Sequence, residues 1–448
     1  MRRIGLGRLA VAVLGALIGG GNCAHAAPVR PSFVIILADD MSTAHMPAMG
    51  RVQALLGNTG LTFERAYVET PVCAPTRATL LTGRLAHNHG VLSTAQTRPR
   101  MMAVDHDTIA SRLAAAGYRT AFLGKYNNGY DCSYVPAGWQ LWRGFCGLAP
   151  TSAVTVVDGV RTQVPGHSDD WIRDQASAFI RQTPRDQPFL LVASSVQPHT
   201  PHDPARRHRG MFAGAMVPRT PAFNEADVSD LPLFLRKPLL SPVQIQELDR
   251  AWALTLEELQ TIDEMVGGII AALQQTGRLN NTYVVFTSDN GAHYGEHRFR
   301  EGKWMAFETD IRVPFVVRGP GVPARARQQA MIGMVDVPAT MLELAGVSTS
   351  GFDGVSFANA LRGGPGRRTA MPIAFWTERY QLHWRGVRTA RHTYAEYSAS
   401  TRLLYDNVMD PHQINNLARD PQSATLLEGL RAQALRLFTC RGSEACRQ

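Results

Sequence analysis

Phe33-Val34-Ile35-Ile36-Leu37-Ala38-Asp39-Asp40 is an unbroken apolar row that ends in two acids. A strand with one wet face would alternate apolar and polar residues; a continuous run marks a strand covered on both faces, as in a parallel sheet. Acids just past its end fit a strand that delivers side chains to a site, because ligands of open α/β sheets gather outside the carboxyl ends of strands. The same texture returns at 119–123, 189–194 and 282–287, the last running into Asp289. Helical periods lie at 108–116, 171–182 and 243–275, the last closed by Gly277. Strands alternating with helices predict an α/β chain with a mixed, mostly parallel central sheet flanked by helices. Asp39, Asp40 and Asp289 then converge although they are far apart in sequence.

Beyond Gly364-Pro365-Gly366 the texture changes. Short β-like stretches at 386–389, 393–397 and 401–405, then a helical pattern at 424–438, predict a small C-terminal α+β subdomain built on an antiparallel sheet. The division expected is a signal peptide at 1–26, a main unit at 27–365 that carries these strand-end acids and the small unit at 366–448. Loops are expected at 27–31 and 204–221, and no internal repeat is visible.

The N-terminus reads as an export signal. Met1-Arg2-Arg3 opens it, an apolar stretch runs from about residue 9 to 18, and Ala24-His25-Ala26 offers a small-x-small cleavage site. No later stretch reaches the length of a membrane-spanning helix. The expected product is exported, periplasmic or secreted. The chain's formal charge of +9 falls to +6 without Arg2, Arg3 and Arg8. The remaining excess is scattered arginine, without the basic runs of a nucleic-acid-binding tail, and suits an anionic small molecule or polysaccharide. With 45% hydrophobic and 19% charged residues the composition is globular, which excludes a disordered or collagen-like chain.

Of six cysteines, Cys23 lies in the leader. Cys132/Cys146 and Cys440/Cys446 are close pairs suited to local disulfides in an oxidising compartment. Cys73 is left over, either as a buried thiol or as chemistry.

The residues around it decide between the two. Cys73-Ala74-Pro75-Thr76-Arg77, continued by Leu81-Thr82-Gly83-Arg84, resembles the signature of the type I, formylglycine-dependent sulfatases. Thr76 stands where Ser is commoner. The resemblance implies an alkaline-phosphatase-like sulfatase fold. It also implies a maturation enzyme that oxidises Cys73 to formylglycine during export. A hydrated aldehyde offers two hydroxyls: one attacks sulfur and releases the alcohol, and the second drives sulfate out by elimination. Asp39, Asp40, Asp289 and Asn290 match the family's metal ligands, completed by residue 73. Hard oxygen donors suit Ca²⁺, the ion expected, and also accommodate Mg²⁺. Arg77, one helical turn from Cys73, matches the group that orients the aldehyde hydrate. Lys125 in Gly124-Lys125-Tyr126 and Lys303 in Glu301-Gly302-Lys303 match the lysines that hold sulfate. His199 in Gln197-Pro198-His199-Thr200-Pro201-His202 matches the histidine that contacts sulfate and protonates the leaving oxygen, for which an imidazole is suited. His202 is expected as a further substrate contact. Many sulfatases carry a histidine at the place of Asn127, which cannot act as a base, and His89 is the expected replacement.

Within the family, Thr82-Gly83-Arg84-Leu85-Ala86-His87-Asn88-His89-Gly90 looks like the N-acetylglucosamine-6-sulfatase and heparan endosulfatase branch. So do Ser133-Tyr134-Val135-Pro136-Ala137-Gly138-Trp139 and Asp410-Pro411-His412-Gln413-Ile414-Asn415-Asn416-Leu417. The resemblance implies a sulfated sugar, first a 6-O-sulfated glucosamine, or an aryl sulfate ester as substrate. Trp139, Trp142 and Trp304 are candidates to stack on sugar faces. A phosphonate monoester or phosphodiester hydrolase of the same superfamily, or a sulfated-glycan binder without catalysis, are the alternatives.

Overall fold

The computed structural model describes Met1 and residues 30–95, 97–147, 149–377 and 383–447. Apart from Met1, the expected leader, Cys23 included, lies outside these residues. Along the chain run β1 (Ser32–Ala38), β2 (Leu61–Tyr67), β3 (Arg119–Gly124), β4 (Leu141–Gly144) and a hairpin of β5 (Val154–Val157) and β6 (Val160–Gln163). β7 (Phe189–Ser194), β8 (Thr282–Ser288), β9 (Phe315–Arg318) and β10 (Ala326–Gly333) follow. The central sheet has the order β10-β2-β9-β8-β1-β7-β3-β4, parallel except for β9, which runs antiparallel to β8 and β2.

β1 explains its own sequence. Phe33, Ile35 and Leu37 enter one core with the helix Ile109–Ala115, while Val34 and Ile36 enter the other with the helices Ser168–Gln182 and Pro242–Gln275. Every second residue faces the opposite layer, so both parities must be apolar. Each such side chain contributes about 1.5–3 kcal/mol by burial. The register places Ala38 opposite Ser288, and Leu37 and Gly124 opposite Ser194. The chain therefore leaves β1, β3, β7 and β8 at one edge, and residues just past each strand meet there.

The C-terminal region builds a second sheet, β11 (Ala370–Phe375), β12 (Trp384–Thr389), β13 (His392–Ser398) and β14 (Thr401–Asp406), antiparallel in that order. The helix Ala424–Leu437 covers one face through Leu427, Leu430 and Leu437 against Val387, Tyr394 and Leu404. The other face puts Ile373, Trp384 and Leu403 into one core with Tyr67, Val72 and Phe307 of the first sheet's side. β11 was not anticipated because Pro372 interrupts it; as an edge strand it needs fewer ladder donors. β2, β9 and β10 also escape the apolar pattern. Glu64 and Arg65 sit half-exposed in β2, β9 has only four residues, and β10 begins with alternating exposed positions. Both expected disulfides form, Cys132–Cys146 and Cys440–Cys446, and Cys73 is a free, buried thiol.

Glu69, two residues past β2, is buried beside Asp336. Its Oε1 accepts from the Val335 N–H at 3.1 Å, and its Oε2 has no partner. Burial, and next the charge of Asp336, push this carboxyl from 4.5 up to about 8. The folded protein thus keeps a proton that the unfolded chain releases, and stability falls as pH rises through about 4.5 to 8. Glu69→Gln is expected to flatten the dependence of Tm on pH in that window. Equal slopes for both proteins in thermal unfolding at pH 5 and 8 would refute the assignment.

Candidate active site

Cys73 opens the helix Cys73–Thr82, all of whose residues are buried. The helix ends at Gly83 with a left-handed φ of 62°, where a Cβ would lie 2.1 Å from the Phe352 ring. Both facts demand glycine, and they explain why Thr82-Gly83 follows the helix so tightly.

Around the thiol stand residues from five chain segments. Cys73 Sγ lies 3.3 Å from Asp39 Oδ1 and 3.9 Å from Asp40 Oδ1. Consecutive strand residues would point to opposite faces. Asp40 departs from the strand with φ of 71°, which lets both carboxylates face one point. Lys303 Nζ donates to Cys73 Sγ at 2.9 Å and to Asp40 Oδ1 at 2.5 Å. Lys125 Nζ pairs with Asp39 Oδ2. Arg77 donates through Nε to Asp289 Oδ2 at 2.7 Å, and through one terminal nitrogen to the Lys125 carbonyl and Ser194 Oγ, both at 2.6 Å. Its other terminal nitrogen lies 3.9 Å from Asp39 Oδ2 and makes no hydrogen bond. Asn290 Nδ2 donates to Asp40 Oδ1 at 2.7 Å. His199 Nε2 stands 3.7 Å from Asp40 Oδ2, and its side chain, 32% exposed, faces the solvent side of the cluster.

Three buried carboxylates survive here because three cations face them. Burial would raise Asp39, but Lys125, His199 and Arg77 outweigh it and hold the carboxyl below its ordinary range. Asp40 is lowered likewise, against burial, by Lys303 and then His199. Burial would depress Lys125 and Lys303; the facing acids, Asp39 and Asp40 foremost, raise both instead. The donor set fits a hard divalent cation. Ligand atoms of Asp39, Asp40, Cys73 and Asp289 lie within 4.8 Å of one another. The side-chain amide oxygen of Asn290, Oδ1, is buried and has no hydrogen-bond partner. An orphaned buried oxygen beside clustered carboxylates is a ligand position for such an ion.

The structure thus brings together Asp39, Asp40, Cys73, Arg77, Lys125, His199, Asp289, Asn290 and Lys303. It does not bring in two expected residues. His89 is buried behind the helix, its Nε2 3.0 Å from Thr79 Oγ1 and its Nδ1 accepting from the Val91 N–H at 3.0 Å. Burial, then His87 and Arg84, depress it to about 3. With both nitrogens engaged it cannot take the part of a base, and that expectation is withdrawn. His202 has Nδ1 2.9 Å from Glu258 Oε2 and Nε2 2.9 Å from Glu301 Oε1, so neither nitrogen remains for a substrate. Trp139 and Trp142 pack with Phe122 in the core and present no sugar platform. Trp304 stacks on Phe375. Sequence reasoning missed Ser194 and Glu258, supports whose partners are remote in the chain, and Asp310, which holds His293 and the Met305 N–H; no local signal marks them.

The sulfatase family pattern matches residues 31–347, and the C-terminal pattern of N-sulphoglucosamine sulphohydrolase matches 295–439. The chain belongs to the sulfatase family and is a sulfuric ester hydrolase. It is 28% identical to the N-acetylglucosamine-6-sulfatase of Capra hircus over 473 residues, covering 92% of this chain and 84% of that one. It is 34% identical over 339 residues to the extracellular sulfatase SULF-1 homolog of Drosophila melanogaster. That match covers 71% of this chain and only 30% of the fly protein. A protein solved in complex with its substrate D-glucosamine-2-N,6-O-disulfate superimposes with a TM-score of 0.78 at 23% identity, covering 91% of this chain and 97% of that one. Among the described residues no helix is long and apolar enough to cross a membrane.

Proposed function

We propose that the protein hydrolyses sulfate monoesters on 6-O-sulfated glucosamine-type sugars, with a formylglycine made from Cys73 as nucleophile. The observation that carries this reading is the position of Cys73. It is a buried residue against two carboxylates, with a lysine on its sulfur and His199 on the open side. As a thiol it is a poor nucleophile, because burial, and then Asp39, raise it above its ordinary value. Converted to the aldehyde hydrate, residue 73 supplies one hydroxyl for attack and a second for release of sulfate.

The remaining roles follow from charge. Lys125 and Lys303 hold sulfate oxygens and offset the repulsion between an anionic ester and its nucleophile. Arg77, fixed by Asp289 and Ser194, orients residue 73. His199 is placed to protonate the leaving alcohol oxygen. Asp39, Asp40, Asp289, Asn290 and residue 73 would hold Ca²⁺, with Mg²⁺ as the other candidate, which supplies Lewis-acid polarisation of the sulfate. The sugar assignment is supported by the glucosamine-sulfate chemistry of the goat enzyme and the solved complex. Export before or during maturation accords with the two disulfides.

The test is the mass of the tryptic peptide carrying residue 73 from exported protein, which should be about 18 Da below the cysteine form. Turnover is then read on a panel of 6-O-sulfated glucosamines and on matched aryl sulfate and phosphonate esters. Faster phosphonate than sulfate turnover by aldehyde-bearing protein would overturn the reading. Chelation is expected to abolish activity, and restoration by Ca²⁺ but not Mg²⁺ at equal free concentration would decide the ion. Activity untouched by exhaustive chelation, with metal analysis showing none bound, would remove the metal from the proposal.

A further inference from the structure

We propose that His202 is a positioning residue, which holds Lys303 against Cys73 by bridging Glu258 to Glu301. The bridge has a fixed end and a working end. Glu258 sits on the buried side of the helix Pro242–Gln275, and its Oε1 also accepts from the Asp203 N–H at 2.6 Å and from Gln197 Nε2 at 3.3 Å. That one carboxylate therefore anchors both ends of the segment 197–203, with His199 inside it. Glu301, at the other end, precedes Lys303 by two residues. His202 is the link between them, with 2.9 Å contacts on both sides and a side chain only 9% exposed.

A second clamp acts on the same stretch. Gly302 exchanges backbone hydrogen bonds of 2.8 and 3.1 Å with His293, whose Nδ1 is held by Asp310 at 2.9 Å. A lysine has a flexible four-carbon stem, so the place of its ammonium depends on where its backbone is fixed. Here the two clamps fix the two residues just before Lys303, and Nζ reaches both Cys73 and Asp40. Burial would depress the imidazole, but hydrogen bonds to Glu258 and Glu301 outweigh it and raise it to about 9, while burial raises the Glu258 carboxyl. An imidazolium can donate from both nitrogens at once, which a neutral ring cannot.

The inference rests on Lys303 holding sulfate, and a double-mutant cycle separates the two claims. His202→Leu and, independently, Glu301→Gln are expected to lower kcat/KM by about 10- to 100-fold, the scale of a displacement near 1 Å. Aldehyde content at residue 73 and Tm are measured on each variant, and Glu301→Gln serves if His202→Leu does not fold. In a Lys303→Ala background the same substitutions should change kcat/KM by less than about twofold, because their target is gone. If the full loss persists there, the two histidine-linked changes act elsewhere and the positioning role is wrong. No loss in the Lys303-containing enzyme also overturns it. If Lys303→Ala alone turns over sulfate esters normally, the reading of Lys303 falls and the inference falls with it.

Discussion

Cys73→Ala is expected to lower kcat/KM on any sulfate ester by at least about 10⁴-fold, the scale seen when a nucleophile is removed from an otherwise intact site. The substitution deletes one sulfur atom that is 1% exposed and leaves the helix Cys73–Thr82 unchanged, since alanine is the better helix former. The fold should therefore survive. The charges survive too, because Asp39, Asp40 and Asp289 keep Lys125, Lys303 and Arg77 as partners. Substrate affinity, measured by calorimetry on the inactive protein, should persist and so separate binding from chemistry. Cys73→Ser is the more telling companion. Serine offers one hydroxyl and no second one to expel sulfate, so the protein is expected to stop with sulfate attached, a mass gain of about 80 Da. Full turnover by the alanine protein would end the covalent reading.

The second large effect is on stability. Arg368→Ala is expected to cost about 3–5 kcal/mol, because removing one partner of a buried ion pair strands the other. Arg368 donates from Nε to Asp336 Oδ2 at 2.7 Å and from a terminal nitrogen to Asp336 Oδ1, and reaches the Cys446 carbonyl at 2.7 Å. Both side chains are at most 2% exposed. Asp336 starts the helix Asp336–Leu344 and also accepts from Gly333 and Val355. One guanidinium thus ties the end of the chain to the helix behind the nucleophile. Urea midpoints at pH 7 measure the loss, and Asp336→Asn combined with Arg368→Met should recover much of it. A single-variant loss below about 1 kcal/mol would contradict the buried-pair account.

How much of this was legible beforehand depended on whether the signal was local. β1, β3, β7 and β8 announced themselves because burial on both faces forces a continuous apolar row. β2 and β10 lie toward one edge, where Glu64, Arg65 and Arg327 tolerate water, and they gave no such row, while β9 is apolar but only four residues long. Asp39, Asp40 and Asp289 could be brought together because each follows the end of a buried strand, and Cys73 stood out as the unpaired cysteine; Arg77, Lys125, His199, Asn290 and Lys303 were named through the resemblance around Cys73. Where the reading failed, residue type was right and orientation was not. His89 and His202 are histidines near the motifs, but a sequence does not say that one ring is capped by Thr79 and Val91, or the other by Glu258 and Glu301.

The segment 195–241 carries only one short turn of 3₁₀-helix, Leu233–Leu235, yet it is held by side chains along its length. Arg207 grips Asp170 and Glu264, Arg219 grips Asp249, and Asn224 closes on Leu240. Its shape is thus set by polar tethers to two helices and by the burial of Val217, Leu231, Leu235 and Leu240. It joins the sheet only at its start, where the Ser195 N–H donates to Leu37 and Gln197 accepts from the Asp39 N–H. That makes it an exchangeable part. A relative's stretch could be grafted between Asp203 and Pro242, which leaves His199 and His202 in place. Asp170, Asp249 and Glu264 would have to be matched, and the charge cluster under Cys73 would stay as it is.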